Sequence, residues 1–289
     1  MLKTRKNDLD LSLAFSPCPN DTFIFFAIAY NLIDCEGIEF KIRLADVETL
    51  NQKAKAGVFD ISKLSFAAIG HLQDRYSLLR SGAALGRGCG PLIVAKPGFN
   101  INKLKLKKIA VPGLWTTANL LLCLYLSKKP DVYPISFEQI MPSVEQGIFD
   151  AGVIIHEGRF TYKKYGLELI VDLGSWWEAE TSLPIPLGGI AIRKGISAET
   201  VKKIERIIRE SVLYAYKNRN KADDYIKKHA QELAPSVIRQ HIDLYVNEFT
   251  LDLGDEGEEA VETLFKIARE RGILPLRANS KRQKTKVDL

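Results

Sequence analysis

Apolar runs rich in β-branched residues alternate with amphipathic stretches over the first two-thirds of the chain. The apolar runs predict strands: Leu11–Phe15, Glu39–Ala45, Tyr76–Ser81, Leu92–Ala95, Lys108–Val111, Ala151–Ile155, Leu169–Asp172 and Gly188–Ile192. The amphipathic stretches predict helices: Thr22–Ile33, Val47–Ala56, Ser65–Asp74, Thr117–Leu126, Ser136–Gln146 and Ser175–Thr181. Short continuous apolar runs between helices are typical of parallel strands covered on both faces, so the pattern predicts an α/β architecture.

The last third of the chain changes character, because its apolar residues recur every three or four positions. This spacing predicts helices throughout: Ala198–Lys217, Lys221–His229, Ser236–Asn247 and Glu256–Arg271. Gly272 follows the last of them, and glycine commonly ends a helix at this position.

One short pattern occurs twice: a helix, a glycine, Phe-Asp and a strand. It runs from Ala56 to Ser65 and again from Gln146 to His156. An earlier pair of segments, Ala14–Thr22 and Ala110–Thr117, shares a strand, a turn with proline, a threonine and an apolar helix. The repetition predicts two α/β lobes of similar construction.

The two predicted lobes lie around residues 11–90 and 96–187. In open α/β sheets the ligand binds beyond the carboxyl ends of the strands, beside helix N-termini. Two facing lobes would therefore bring four polar residues to one cleft: Thr22, Ser65, Thr117 and His156. The glycine-rich segment Ser81–Pro91 precedes the crossing between the lobes and favours a hinge or a close backbone approach.

The net charge of +6 is concentrated at the two ends of the chain. Lys3, Arg5 and Lys6 lie at one end and a basic tail at 277–289 lies at the other, whereas the body between them is close to neutral. Such ends are usually solvated, so we expect them to aid solubility and expect no nucleic-acid partner.

The chain shows no membrane or export signal in its sequence. Its most apolar run, Thr22–Ile33, is shorter than the roughly 18–20 residues of a membrane span. The first residues lead into no long apolar segment, so we expect a cytoplasmic protein. The cysteines are widely and irregularly spaced, which suits a reducing compartment and no metal or disulfide framework: Cys18, Cys35, Cys89 and Cys123.

His156 is the first candidate for chemistry, because it directly follows a predicted buried strand. A neutral imidazole at the end of a strand suits a general base near pH 7. The alternative is a histidine that only makes a structural hydrogen bond there. A zinc motif H-E-x-x-H fails, because Phe160 occupies the second histidine position. The remaining histidines are expected at the surface or at edges: His71, His229 and His241.

Two turns before predicted helices offer a second kind of site. Pro17–Thr22 is stiffened by two prolines, and Thr116–Asn119 opens the first helix of the second lobe. Hydroxyls and unpaired first-turn amides can bind a carboxylate or a phosphate, although the same residues also serve as plain helix caps. Cys18 is expected to be a small packed thiol, with a nucleophile activated by the helix terminus as the alternative.

Several motifs together carry a family resemblance. In chain order they are Ser16–Phe23, Asp46–Asn51, Lys63–Ser65, Ser81–Pro91, Val111–Gly113, Thr116–Ala118 and Ile155–Tyr162. With these motifs the chain resembles the 1,4-dihydroxy-6-naphthoate synthases of the futalosine route to menaquinone. The likeness runs from about Leu11 to about Gly272.

The resemblance implies an α/β fold like that of type II periplasmic binding proteins, with two lobes joined by a double crossover. Residues 1–92 would begin lobe one and residues 93–188 would form lobe two. Residues 189–276 would supply the return strand and the final helices packed on lobe one, and residues 277–289 would be a basic tail.

The resemblance also implies a lyase that opens cyclic dehypoxanthine futalosine to 1,4-dihydroxy-6-naphthoate and releases a three-carbon dihydroxyacetone fragment. No cofactor or metal is implied, and the partner is a small molecule with carboxylate and hydroxyl groups. The family's base falls on His156. Its substrate contacts fall on two segments: Lys63, Leu64 and Ser65, and Thr116, Thr117 and Ala118. The other signature loop assigns Asn20, Asp21 and Thr22 to the cleft wall.

Two other functions remain open at this point. The same two-lobe fold commonly serves non-catalytic solute receptors and ligand sensors. A receptor of that kind is expected to begin with a signal peptide or a lipid-anchor cysteine, and a sensor to carry a helix-turn-helix domain; the sequence shows neither. A hydrolase that depends on Cys18 would be inactivated by thiol alkylation. The oligomeric state is left open.

Overall fold

Strands and helices alternate through the computed structural model, which describes residues 9–127, 130–230 and 234–276. The strands are β1 (Leu9–Phe15), β2 (Ile38–Leu44), β3 (Ile61–Ser65), β4 (Tyr76–Leu78), β5 (Ala84–Gly86), β6 (Leu92–Ala95), β7 (Ile109–Val111), β8 (Val132–Pro134), β9 (Ala151–Ile154), β10 (Glu168–Asp172) and β11 (Ile185–Arg193). The predicted basic ends, at residues 1–8 and 277–289, lie outside the described residues.

The helices cover the faces of the sheets and make up most of the last third of the chain. They are α1 (Pro19–Ala29), α2 (Val47–Lys55), α3 (Phe66–His71), α4 (Thr117–Leu126), α5 (Phe137–Glu145), α6 (Gly158–Thr161), α7 (Leu173–Thr181), α8 (Ala198–Lys217), α9 (Arg219–His229), α10 (Pro235–Tyr245), α11 (Glu248–Leu251) and α12 (Gly254–Glu270). Short 3-10 segments occur at Ile101–Leu106 and Tyr162–Tyr165.

The strands form two sheets, one in each lobe. The first has the order β2-β1-β3-β11-β4, with β5 also paired to β11, and the second has the order β8-β7-β9-β6-β10. In the first sheet β1 is parallel to β2 and β3, whereas β11 is antiparallel to β3, β4 and β5. In the second sheet β7 is parallel to β8 and β9, whereas β6 is antiparallel to β9 and β10.

The prediction of parallel strands is therefore wrong for β6 and β11 and for their antiparallel partners at the sheet edges. These two strands are the first that the chain forms after it crosses from one sheet to the other. The direction of these strands could not be predicted from their sequences, because a strand covered on both faces is continuously apolar in either direction.

The predicted internal repeat is visible in the way the two sheets are tied together. Asp60 Oδ2 accepts the backbone N–H of Ser12 at 2.9 Å, which joins the start of β3 to β1. Asp150 Oδ2 accepts the backbone N–H of Lys108 at 2.9 Å, which joins the start of β9 to the residue before β7. The two aspartates of the repeated Phe-Asp motif thus perform the same task in each lobe.

The chain crosses between the sheets twice, once between β5 and β6 and once between α7 and β11. At the first crossing Gly90 lies against Gly174, and a Cβ on Gly90 would come within 2.3 Å of the Gly174 backbone. The glycine-rich segment therefore provides the close backbone approach that its sequence favours. The division into 1–92, 93–188 and 189–276 stays a prediction.

The final helices pack back on the first lobe. Helix α8 has its predicted bounds and packs on α1 with a buried stripe that is apolar except for Ser211: Ile204, Ile207, Ile208, Ser211, Val212 and Ala215. Each large apolar side chain buried in this way contributes roughly 1.5–3 kcal/mol. Within the described ranges, no helix is both long and apolar enough to cross a membrane.

Candidate active site

A cavity of about 670 Å³, including its open mouth, lies where the ends of β1, β3, β7 and β9 face each other between the sheets. All the predicted site residues except Thr22 line it: Asn20, Asp21, Lys63, Leu64, Ser65, Thr116, Thr117, Ala118 and His156.

Thr22 lies one turn further into α1 and is fully buried. Its hydroxyl donates to the backbone carbonyl of Cys18 at 2.9 Å and so closes the first turn of the helix. The helix itself begins at Pro19 rather than at Thr22, because proline suits the first helical position. Thr22 therefore shapes the loop rather than the cavity wall.

His156 follows β9 directly, and its backbone φ of 54° lies in the left-handed region. Most residues other than glycine avoid this conformation, and histidine, like asparagine and aspartate, adopts it more often than the others. Nδ1 lies 2.9 Å from the Cys18 sulfur, across the gap between the lobes. Among the described residues, Nε2 of His156 has no hydrogen-bond partner. Because this nitrogen is not fully buried, it is open to the cavity that His156 lines.

The electrostatic setting keeps the His156 ring neutral. Burial lowers the pKa of His156 below its ordinary value of 6.5, and this effect outweighs the opposite pull of the neighbouring Glu157 carboxylate. A half-buried imidazole that is neutral near pH 7 has a lone pair available for a proton.

Cys18 is buried, and burial raises the pKa of its thiol well above the ordinary value of 9.0. Activated nucleophilic cysteines show the opposite shift. The contact with His156 joins residues 138 positions apart, so the sequence offered no sign of it. The neighbourhood is that of a packed, protonated thiol with a histidine partner.

Asp21 and Lys63 form a buried ion pair in the floor of the cavity. Lys63 Nζ lies 2.8 Å from Asp21 Oδ1, and the two side chains are 6% and 2% exposed. Lys63 also donates to the backbone carbonyl of Gly82 at 3.2 Å, which leaves a third N–H for a ligand. Ser16 and Asn20 also donate hydrogen bonds to the carboxylate of Asp21.

The N-terminus of α4 opens onto the same cavity. Thr116 caps the helix by accepting the N–H of Asn119, and Thr117 donates to the carbonyl of Leu187 at 2.7 Å. In the described residues no acceptor is assigned to the backbone N–H groups of Thr117 and Ala118. Two free amides and the positive end of the helix dipole form a ready site for a carboxylate.

His241 corrects the expectation of a surface residue. It lies on α10 with 1% of its surface exposed and lines the cavity. Its Nε2 is 2.9 Å from Asn20 Oδ1. The signal was available, because His241 falls three positions after Ile238 and four before Tyr245, on the buried stripe of the helix. His71 and His229 are partly exposed, as expected.

His241 also faces Glu157, with Nδ1 4.0 Å from Glu157 Oε2. Asn20 donates its amide hydrogen to Asp21, so its oxygen must accept from Nε2–H of His241. Nδ1 of the neutral ring is then an acceptor that faces a second acceptor, and both atoms are buried without a partner in the structure. Burial lowers the pKa of His241 well below 6.5.

Over residues 9–127, 130–230 and 234–276, no group of three or more His, Cys, Asp or Glu side chains is arranged to hold a metal ion. Towards a ligand the cavity offers a lysine N–H, the amides at the start of α4 and one open imidazole nitrogen, which suit an organic acid.

Two lobes with a cavity between their sheets define a protein of the periplasmic-binding-protein fold, and solved structures agree. The alkanesulfonate-binding protein SsuA of Xanthomonas axonopodis pv. citri, bound to MOPS, is similar with a TM-score of 0.71 at 14% identity, over 94% of this chain and 96% of that one. A Candida albicans protein described as having the generic periplasmic binding protein fold gives a TM-score of 0.65 at 12% identity, over 93% and 92%. At such identities the likeness concerns the fold alone.

Comparison of the sequence with known families identifies more than the fold. The model of the menaquinone biosynthesis family matches residues 11–270, and the chain belongs to this family. It is 47% identical over 263 residues to the 1,4-dihydroxy-6-naphtoate synthase of Thermus thermophilus, covering 91% of this chain and 95% of that protein. The synthase of the same name from Streptomyces coelicolor is 40% identical over 270 residues, covering 92% and 95%. The resemblance predicted from the motifs is confirmed.

Proposed function

We propose that the protein is a lyase that converts cyclic dehypoxanthine futalosine to 1,4-dihydroxy-6-naphthoate and dihydroxyacetone, with His156 as the general base. One observation carries the proposal: a neutral imidazole open at Nε2 shares a single cavity with a buried lysine and a helix N-terminus. The family and the names of its relatives support the synthesis of 1,4-dihydroxy-6-naphthoate, and the cavity offers groups that suit the proposed chemistry.

Binding begins at the α4 N-terminus in this proposal. The substrate carboxylate accepts the free N–H groups of Thr117 and Ala118, where the helix dipole adds to the attraction. Ser65 accepts from Asn51 and keeps its own O–H available for a substrate hydroxyl. These contacts orient the ring system, and orientation alone removes much of the entropic barrier.

Proton removal is the task of His156. Nε2 takes a proton from the bound carbocycle or its hydroxyl, and general-base help of this kind is worth about 10²–10⁴ in rate. Negative charge then develops on a substrate oxygen. The free N–H of Lys63 lies in the same cavity and stabilises that charge without having to move.

Cleavage follows from the developing charge. The carbon–carbon bond to the three-carbon fragment then breaks: its electron pair passes into the ring as an enolate, the fragment leaves with a new carbonyl group at the oxygen that lost the proton, and the His156 imidazolium returns that proton to the enolate oxygen. The second ring becomes aromatic, which supplies the driving force. Enclosure between two lobes keeps water from the intermediate. No step of this sequence calls for a redox or nucleotide cofactor.

Incubation of the purified protein with cyclic dehypoxanthine futalosine tests the proposal. Mass spectrometry should show 1,4-dihydroxy-6-naphthoate and dihydroxyacetone appearing in equal amounts. Substrate that raises the melting temperature yet stays intact would identify a non-catalytic solute-binding protein instead. Alkylation of the thiols, with and without substrate, would separate a hydrolase that depends on Cys18.

A further inference from the structure

Helix α10 brings a tyrosine to the cavity that no sequence motif indicated. Tyr245 is the last residue of α10, four positions after His241, and belongs to the buried stripe of that helix. It lines the same cavity as His156 and Lys63, and only 7% of its surface is exposed. Its side chain is therefore part of the wall that a bound ligand contacts.

The hydroxyl of Tyr245 has no hydrogen-bond partner among the described residues. Because its oxygen is not fully buried either, it is open to the cavity that Tyr245 lines. Two other tyrosines differ in this respect. Tyr76 donates its hydroxyl hydrogen to the carbonyl of Phe59 and Tyr216 donates to the carbonyl of Val246, both at 2.8 Å.

Charged side chains lie near the Tyr245 hydroxyl but are paired with other groups. Arg159 and Asp172 act on it electrostatically, yet they form an ion pair with each other at 2.7 Å. Burial raises the pKa of Tyr245, so the hydroxyl keeps its hydrogen at neutral pH. Tyr245 therefore presents an uncharged donor, and within the described ranges no side chain or carbonyl accepts its hydrogen.

Packing alone does not account for this hydroxyl. Folding removes most of the Tyr245 surface from water, and the described part of the protein provides no hydrogen-bond partner in exchange. Hydroxyl groups in such surroundings are normally hydrogen-bonded, because the loss of water contacts destabilises an unpaired one. A phenylalanine would fill the same space beside His241 without that disadvantage. An oxygen atom of a bound ligand is the acceptor that the position suits.

We propose that Tyr245 is a substrate-binding residue whose hydroxyl donates a hydrogen bond to an uncharged hydroxyl or carbonyl oxygen of the substrate. The identity of that substrate rests on the proposed function. Lys63 and the amides at the start of α4 suit charged oxygens, which leaves the phenol for an uncharged one. The ring of His241 lies against those of both Tyr245 and His156, with centroids 4.6 and 6.1 Å away. Tyr245 therefore holds a part of the substrate away from the proton that His156 removes.

Substrate affinity in a variant without turnover tests this contact. In His156→Asn, calorimetric titration with cyclic dehypoxanthine futalosine measures binding alone. Addition of Tyr245→Phe should weaken the affinity about 2- to 12-fold, the range of one uncharged hydrogen bond. Addition of Tyr76→Phe should leave it unchanged, because that hydroxyl lies outside the cavity. Equal affinities with and without the Tyr245 hydroxyl would overturn the proposal.

The stability of the ligand-free protein separates a substrate contact from a structural role. Tyr245→Phe removes a hydroxyl that the described residues do not use, so urea unfolding without substrate should show a stability equal to that of the wild type or higher. Tyr76→Phe removes the donor to the Phe59 carbonyl and should be less stable. Destabilisation of Tyr245→Phe to the level of Tyr76→Phe would identify a structural hydroxyl and refute the proposal.

Steady-state kinetics provide a third readout. A bond made away from the reacting atoms is present both in the bound substrate and in the transition state, so its loss raises KM and leaves kcat nearly unchanged. Tyr245→Phe should therefore raise KM about 2- to 12-fold. A lower kcat at unchanged KM would contradict the position assigned to the hydroxyl.

The two proposals fail separately. Substrate that binds more tightly when the Tyr245 hydroxyl is present, but that the wild type never converts, refutes the proposed function and leaves the Tyr245 contact intact. Formation of naphthoate together with an unchanged affinity in the Tyr245→Phe variant refutes the contact alone. A protein that does not bind the substrate at all refutes both.

Discussion

Burial decides what each polar side chain of the cavity can do. His156 and His241 lose affinity for a proton, and Cys18 holds its proton more tightly, so all three groups are neutral near pH 7. The formal charges in the floor of the cavity belong to the Asp21–Lys63 pair. Ser16 and Asn20 also donate hydrogen bonds to the Asp21 carboxylate. In the proposed reaction, a neutral base beside a fixed cation favours proton abstraction from the bound carbocycle.

Asp21→Asn should destabilise the protein strongly. It leaves the Lys63 ammonium buried without its counter-ion, and breaking a buried pair by removing one partner typically costs about 3–5 kcal/mol. Urea unfolding of the variant and the wild type measures the difference. Asp10→Asn is the matched control, since it breaks a pair with Lys41 in which both side chains are half exposed, and it should change little. Equal effects of the two substitutions would contradict the importance of the buried pair.

Stability should fall as the pH drops below about 6.5, the ordinary pKa of histidine. The folded pKa values of His156 and His241 are lowered, so below that pH the unfolded chain binds protons that the folded chain refuses. Each such group removes about 1.4 kcal/mol per pH unit from the free energy of unfolding until its folded pKa is reached. Denaturant unfolding from about pH 7.5 to about pH 5 should show a shallower slope for His241→Asn than for the wild type. Identical slopes would contradict the burial of a neutral His241.

Single residues were predictable where the chemistry follows a local signal. His156 and the Lys63–Ser65 and Thr116–Ala118 segments stand directly at strand ends or helix starts, and the structure places them all in the cavity. The contacts of Cys18 with His156 and of His241 with Asn20 depend on long-range packing, over 138 and 221 residues. No local pattern encodes such partners.

At the scale of elements, the lobes repeat one unit. Gly57 and Gly147 follow α2 and α5 with positive φ of 70° and 77°, and each precedes the Phe-Asp motif and the strand that ends at the cavity. The residues after β3 and β9 therefore occupy matching places in the two sheets, with β3 ending at Ser65 and β9 followed by His156. The repeat could be predicted from the sequence because it consists of a glycine and a Phe-Asp motif that lie close together in the chain. The strand direction at the crossings could not be predicted, since it depends on the path of the chain between the sheets.

Gly90→Ala should destabilise the crossing between the lobes. The added methyl group would come within 2.3 Å of the Gly174 backbone, so the first crossing must move away from the start of α7. Overpacking of this kind typically costs about 1–3 kcal/mol, and here it should also lower the affinity for substrate. Gly158→Ala is the control for stability, because its methyl group meets no atom closer than 3.5 Å. Thermal unfolding of both variants measures the effect. Equal melting temperatures of the two variants would contradict the expected destabilisation by the steric clash.

At the scale of the whole molecule, the cavity is assembled from both lobes and held by polar contacts between them. Asn51 on α2 donates to the carbonyl of Trp115, Thr117 bonds to Leu187 and Ala67, and Cys18 meets His156. Many proteins of this fold use such a cavity only to hold a solute. The imidazole at its centre, together with the family, indicates chemistry instead.

Replacement of His156 is the measurement that bears most directly on this account. His156→Asn keeps a polar side chain of similar reach but removes the base, so naphthoate formation should fall by about 10²–10⁴. Substrate should still raise the melting temperature, because the carboxylate site at α4 is intact, and His229→Asn should behave as the wild type. Turnover by His156→Asn close to the wild-type rate would contradict the account.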